Sequence, residues 1–521
     1  MAAISILWAD DEIDLLKPSI QYLEDKGYKV FPVSNGQDAL EQIRKSPVDV
    51  VFLDESMPGL SGLETLSRIK QINRHLPVIM ITKNEEEHLM ENAIGSQISD
   101  YLIKPVKPQQ ILSALKKITD NERLVSEKTT SAYQQEFQKL FMRMQDNLDW
   151  KEWTDLYKQL VYWESEIFSH KAQGMKEVFT AQKDEANREF CKFIARHYKD
   201  WINPSSPGAA PVLSHTLLRE KLFPMMKEEK PVFLILIDNL RLDQWQAIQP
   251  LLNPYFQLEE EDTFFSILPT VTQYSRNAIF SGLLPAKIYE QYPDLWKFDD
   301  EEEGKNLSEA KYLDDQLKRS FREPVKHQYV KVTNHHDANL LQDNILNYLN
   351  NKLTVVVYNF VDMLSHARTE MEVLKELASD ESAYRSLAIS WFEHAPLFSA
   401  LRKLSEKDVN ILITTDHGTV RVKDPSKCIG DRSTSTNIRY KSGKNLTFDE
   451  RDVLHVKKPE EFGLPKSNLS TSYIFAREQK FLCYPNNYNH YVNMFRNTFQ
   501  HGGISLEEMI VPVARLRSRK R

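Results

Sequence analysis

VNILITTDHG, Val409–Gly418, decides the fold of the larger part of this chain. An apolar run of β-formers passes through two threonines into Asp416 and His417. Reading outward, PVFLILID (231–238) ends in Asp238, and LTVVVYNFVD (353–362) ends in Asp362, with His366 one helical turn later. FRNTFQHGGIS, near the C-terminus, supplies His501. Helical stretches separate these runs, so the pattern predicts an α/β domain of about 310 residues. A cap or turn residue accounts for one acid at one strand end. It does not account for three Asp and three His after converging strands. Imidazole and carboxylate in that number suit two Zn²⁺.

The composition of the 521 residues limits the alternatives. A formal net charge of −7 argues against a nucleic-acid coat or a binder of anionic membranes. The three cysteines, Cys191, Cys428 and Cys483, are far apart, which argues against a disulfide framework and a thiolate zinc site. The acidic start MAAISILWADDE does not fit a signal peptide, and no apolar run approaches the ~20 residues of a membrane span. The expectation is a cytoplasmic protein without membrane insertion.

Three regions follow from the patterning. Residues 1–119 alternate five short apolar runs (4–10, 29–34, 48–54, 77–82 and 100–105) with amphipathic stretches, which predicts a parallel, doubly wound sheet. Residues 120–203 contain little Gly or Pro and repeat apolar residues at spacings of three and four, which predicts a bundle of about three helices. NPSSPGAAP (203–211) is rich in breakers, and the α/β domain occupies 204–521. DDEEEGKN (299–306) reads as a solvated loop, and 283–330 as an insertion that shapes the pocket.

In the first region Asp10 and Asp11 end the first strand, Asp54 the third, Thr82 the fourth and Lys104 the fifth. A doubly wound sheet collects these ends on one edge. Clustered carboxylates need a cation, and hard oxygen ligands favour Mg²⁺. A carboxylate beside Mg²⁺ can attack a phosphoryl group, Lys104 can pair with the added charge, and Thr82 can hydrogen-bond it. DD (10–11), D-x-x-M-P-G-x-x-G (54–62), Thr82 and K-P (104–105) resemble the flavodoxin-like receiver domain of two-component response regulators. The resemblance implies that Asp54 is the phosphorylation site. It assigns Mg²⁺ to Asp10, Asp11, Asp54 and the Ser56 carbonyl, and the switch positions to Thr82 and Tyr101. It departs at Lys83, where the family has a small residue, and a long side chain there would shield the phosphoryl group from water.

The effector region needs a nucleophile as well as metals. ILPTVTQYSRNAIFSG (267–282) follows a β-like run and precedes a helical pattern, so a hydroxyl near Thr272 falls at a helix N-terminus, where phosphate is favoured. P-T-V-T-Q, D-x-x-x-H (362–366), D-H-G (416–418) and H-G-G-x-S-x-E-E (501–508) resemble the PglZ branch of the alkaline phosphatase superfamily. The resemblance implies that Thr272 is the nucleophile. One zinc then belongs to Asp238, Asp416 and His417, the other to Asp362, His366 and His501, and Arg276 with Asn277 contacts phosphoryl oxygens. The three regions together resemble response regulators tied to type IX secretion. That implies a sensor histidine kinase, a secretion or transcription partner, and a homodimer on phosphorylation. The function expected is a phosphorylation-controlled zinc phosphodiesterase acting on nucleotidic, possibly oligonucleotide, diesters. The alternative is a non-catalytic adaptor whose metal domain docks a partner.

Overall fold

A computed structural model describes residues 4–73, 76–83, 98–169, 173–206, 208–298, 301, 306–359, 380–431 and 434–519, without the side chains of 119–127, 169 and 173. The chain divides into two compact units. The first runs to Ala132, and the second comprises Tyr133–Ser169 and the residues from Gln173 onward.

The first unit is a five-stranded parallel sheet whose strands lie in the order Lys29–Val33, Ser5–Ala9, Val50–Asp54, Val78–Thr82 and Asp100–Ile103. Its strands are β1 (Ser5–Ala9), β2 (Lys29–Val33), β3 (Val50–Asp54), β4 (Val78–Thr82) and β5 (Asp100–Ile103). Successive residues of a strand face opposite sides, so each strand feeds two cores. Leu7, Ala9, Val51, Leu53, Val78 and Met80 pack with Ala39, Leu40, Leu66 and Ile69 of the helices Gly36–Lys45 and Gly62–Ile72. Ile6, Trp8, Val50, Phe52, Ile79 and Ile81 pack with Leu23 and with Ile111, Ala114 and Leu115 on the other side. Full burial of each such Val, Leu, Ile, Phe or Met side chain contributes about 1.5–3 kcal/mol. Ser61 starts the helix Gly62–Ile72 with a capping box closed by Glu64, a local instruction that fixes where the loop after Asp54 ends.

Three long helices follow: Pro108–Gln145, Trp150–Ser169 and Gln173–Ile202. The first is one element through residues 119 and 120. Within the second unit the last helix packs its aromatics onto the effector core, with Phe190 and Trp201 ring centroids 6.4 and 5.1 Å from that of Phe265.

The effector is built on a six-stranded sheet. Its strands are β6 (Val232–Ile237), β7 (Phe256–Phe265), β8 (His327–Val332), β9 (Leu353–Tyr358), β10 (Asn410–Thr414) and the C-terminal strand Ile510–Ser518. β10, β6, β9 and β8 run parallel, and the C-terminal strand joins antiparallel between β10 and β7. β6, β9 and β10 are buried at every residue, as unbroken apolar runs require when both faces are covered. Smaller sheets, including Tyr440–Gly443, Ser472–Ala476 and Val453–Val456, stand on the C-terminal half. No helix among the described residues is long and apolar enough to cross a membrane.

Candidate functional site

Two clusters of acids stand at strand ends, one in each unit. In the first, one ligand atom each from Asp10, Asp11 and Asp54 lies within 4.8 Å of the others. Asp10 and Asp54 are buried and Asp11 is exposed. Lys104 Nζ bridges the buried pair at 2.9 Å from Asp10 and 3.0 Å from Asp54. Burial pushes the Asp54 carboxyl up, the charges of Asp10 and Asp11 push the same way, and Lys104 opposes them. Burial also works against the Lys104 charge, but its hydrogen bonds to Asp10 and Asp54 outweigh that and raise its pKa. Three carboxylates against one lysine leave negative charge that a divalent cation answers, so the donor set fits Mg²⁺. The Thr82 hydroxyl donates to Glu55, Tyr101 is exposed, and Ser56 is exposed two residues beyond Asp54. Lys83 Nζ lies 3.8 Å from Glu12, at the edge of the acidic cluster.

In the second unit Asp238 follows β6, and Asp416 and His417 follow β10, which neighbours β6 in the sheet. Pairing of adjacent parallel strands therefore brings together ligands far apart in sequence. One donor atom each from Asp238, Asp416 and His417 lies within 4.8 Å of the others, and all three residues are buried. His417 Nδ1 donates to the Gly418 carbonyl at 3.1 Å, so Nε2 turns its lone pair to the cluster. His501 stacks on His417 with ring centroids 4.3 Å apart, and its Nδ1 faces the Thr270 carbonyl at 3.3 Å. Asp362 and His366 lie outside the described residues.

Thr272 is the first residue of the helix Thr272–Ser281, and its Oγ1 is 3.1 Å from His417 Nε2. The hydroxyl, the imidazole and the free N–H groups of the helix start thus face the same space.

Arg276 occupies a different place from the one the sequence resemblance implies. It lies one turn into that helix, fully buried among acidic side chains. Its guanidinium pairs with Asp238, with Asp416 at 2.9 Å and with Glu309 at 3.5 Å, and donates to Asn359 Oδ1 at 3.2 Å. Burial alone would lift the Asp416 carboxyl, but the charges of Arg276 and His417 hold it below its ordinary value. Asn277 is buried beside it. Glu309, which the sequence reading did not single out, sits at the start of the helix Glu309–Ser320 and also takes Lys331 Nζ at 2.8 Å. It lies in the insertion, in a charged stretch without any distinguishing spacing. Asp238, Asp416 and Glu309 carry three negative charges against Arg276 and Lys331. The buried carboxylates of Asp238 and Asp416 with the imidazole of His417 make a mixed nitrogen and oxygen donor set that fits Zn²⁺.

Family models match three successive stretches of the chain. The family model described as the BREX system PglZ alkaline phosphatase-like domain matches residues 217–516. The chain belongs to the PglZ alkaline phosphatase-like family. The model of the PorX response regulator linker domain matches 123–202, and that of the response regulator receiver domain matches 6–116. The protein is a two-component response regulator in which a receiver and a PorX-type linker precede a PglZ domain. The response regulator UvrY of Escherichia coli K12 is 35% identical over 126 residues, which are 24% of this chain and 57% of UvrY. The regulatory protein PhoP of Bacillus subtilis, which controls alkaline phosphatase synthesis, is 30% identical over 115 residues, 22% of this chain and 47% of PhoP. The chain thus spans about half the length of these curated relatives. Among solved structures, the Vibrio cholerae chemotaxis protein CheY4 is 25% identical, with a TM-score of 0.22, over 22% of this chain and 99% of CheY4.

Proposed function

We propose that the chain is a zinc-dependent phosphodiesterase controlled by phosphorylation of Asp54, with Thr272 as its nucleophile. The observation that carries this reading is the convergence of Thr272 Oγ1 with His417 Nε2, 3.1 Å apart, beside Asp238 and Asp416. The zinc ligands are Asp238, Asp416 and His417 for one ion and Asp362, His366 and His501 for the other. Bound there, Zn²⁺ supplies Lewis-acid stabilisation of charge on the phosphoryl oxygens. Thr272 Oγ1 gives up its proton to water and bonds to phosphorus as the bond to the leaving alkoxide breaks, the alkoxide takes a proton from water, and a second water then cleaves the threonine ester. The N–H groups at the start of the helix Thr272–Ser281 bind the phosphoryl oxygens, and Arg276 holds Asp238 and Asp416 in place.

The substrate class is nucleotidic diesters, oligonucleotides among them. In the receiver, Asp10, Asp11, Asp54 and the Ser56 carbonyl hold Mg²⁺, and a sensor histidine kinase is the phosphodonor. The phosphoryl group draws Thr82 inward and lets the exposed Tyr101 turn in, which alters the face that meets a second receiver and gives a homodimer. The resemblance to regulators of type IX secretion points to a secretion or transcription component as the downstream partner.

The test measures zinc content and cleavage of bis(p-nitrophenyl) phosphate and short oligonucleotides by wild type and Thr272→Ala. Turnover by wild type and none by Thr272→Ala, at equal zinc content, is expected. Zinc-loaded wild type that cleaves no diester favours an adaptor whose metal domain docks a partner.

A further inference from the structure

The helix Gln173–Ile202 belongs to the linker, yet one of its faces is built into the PglZ site. Lys183, Asn187, Cys191 and Tyr198 are spaced by four, four and seven residues and share that face. Lys183 Nζ lies 3.0 Å from Glu507 and 3.1 Å from Glu164 of the preceding helix, all three being buried. The Asn187 side chain accepts the Leu506 N–H at 2.8 Å and donates to Glu507 Oε2 at 3.1 Å. The Cys191 thiol donates to the Ile504 carbonyl at 3.3 Å. The Tyr198 hydroxyl accepts the Leu268 N–H at 2.9 Å, just ahead of the threonine loop.

The segment held in this way, Ile504–Glu508, seats the D-H-G loop, and the two glycines just before it brace the threonine loop. Gly418 of D-H-G packs so closely that a Cβ there would stand 1.9 Å from the Glu507 carbonyl oxygen. The Gly418 N–H donates to the Glu508 carbonyl at 3.1 Å. The Thr270 hydroxyl donates to the Gly503 carbonyl at 2.9 Å and accepts the Gly502 N–H at 3.1 Å. The side chain of Glu507 therefore answers to the linker, while the main chain around it seats the loop of Asp416 and His417, adjoins His501 and braces the loop of Thr272.

We propose that Lys183 and Asn187 are positioning residues of the PglZ site: by holding Glu507 they set the spacing between the D-H-G loop, His501 and Thr272. This rests on the proposed reading of that site as a zinc-bearing nucleophilic centre. An inert packing surface between linker and effector needs only apolar contacts. Here one lysine satisfies two buried carboxylates on different elements, so a shift of either linker helix breaks a buried pair next to the site. The linker's position thereby becomes a setting of the metal geometry.

The test uses the full chain as Asn187→Ala and, as a second variant without a truncated side chain, Glu507→Gln. The control is Arg188→Ala, at an exposed neighbour on the same helix. The readouts are the affinity for Co²⁺ alone, the visible spectrum of bound Co²⁺, kcat and KM on bis(p-nitrophenyl) phosphate, and melting of the metal-free protein. Co²⁺ affinity is expected to fall about 10-fold or more in both variants, on the scale of lost outer-shell partners. The spectrum should change and kcat should fall at constant KM, measured at a temperature where the metal-free variants, destabilised by the lost buried partners, are still folded, and Arg188→Ala should be unaltered. Wild-type affinity and spectrum in both variants overturn the positioning role while leaving the zinc reading intact. Wild-type protein that binds no Co²⁺ overturns the zinc reading, and the proposal with it.

Discussion

Replacing Gly418 with alanine tests how tightly the metal-bearing loops are seated on one another. The backbone at Gly418 is not left-handed, so alanine meets no conformational penalty there, and the added methyl is the whole perturbation. That methyl would stand 1.9 Å from the Glu507 carbonyl oxygen and 3.6 Å from Cγ of Arg241. Atoms in ordinary contact sit near 3.5 Å, so the two main chains must part by roughly 1.5 Å. Neither can yield by turning a side chain, because the obstruction is backbone. The Gly418 N–H bond to the Glu508 carbonyl is lost in the same movement. Overpacking of this kind costs about 1–3 kcal/mol of stability. The larger effect falls on the site, because Asp416 and His417 travel with Gly418, and misplacement by about 1 Å can cost 100-fold in rate. The expected outcome for Gly418→Ala is a modestly lowered melting temperature, weakened zinc retention against a chelator, and diester turnover reduced by about 100-fold. Melting, zinc content after dialysis and kcat on bis(p-nitrophenyl) phosphate measure the three effects. A variant that matches wild type in all of them refutes the close seating of the D-H-G loop on Glu507.

Thr272→Val should keep fold and zinc but lose turnover by about 1,000-fold or more, as removal of a nucleophile does; a fast Val variant would move the nucleophile to Thr270 or to water. His501→Ala should release zinc to a chelator more readily than wild type, and unchanged zinc retention would remove His501 from the ligand set. Burial lowers the pKa of His215 from 6.5 to about 4, and its Nδ1 has no hydrogen-bond partner. A histidine depressed in the folded state contributes stability that is present above pH 6.5 and lost as pH falls toward 4. Unfolding free energy should therefore drop by roughly 2 kcal/mol from pH 7.5 to pH 5 on account of this residue. Urea unfolding at both pH values should give a smaller drop for His215→Gln, and an equal drop would discount the residue. Beryllofluoride with Mg²⁺ should raise the molar mass of wild type in light scattering but not that of Asp54→Ala; identical masses throughout would exclude a phosphorylation-driven dimer.

The strands and their chemical endings are written locally in the chain. The apolar runs in Ser5–Ala9, Val232–Ile237 and Asn410–Thr414 are local patterns, and they survive into the structure because a strand's neighbours only complete what its own residues begin. The gathering of Asp10, Asp11 and Asp54, and of Asp238, Asp416 and His417, was legible for the same reason: parallel pairing puts equivalent strand ends on one edge. The direction of Arg276 depends on long-range packing. Its helix is buried all round, so periodicity distinguishes no outward face, and the three acids that claim the guanidinium come from three separate elements. Glu309 was illegible because nothing within its own helix calls for a buried carboxylate. Lys183 and Asn187 read as ordinary polar residues of a long helix, yet the Asn187–Glu507 bond spans 320 positions of sequence. A hydrogen bond across that distance leaves no spacing to read. It exists because burying Glu507 against the linker demands a partner there, and that demand arises only once the helix has docked.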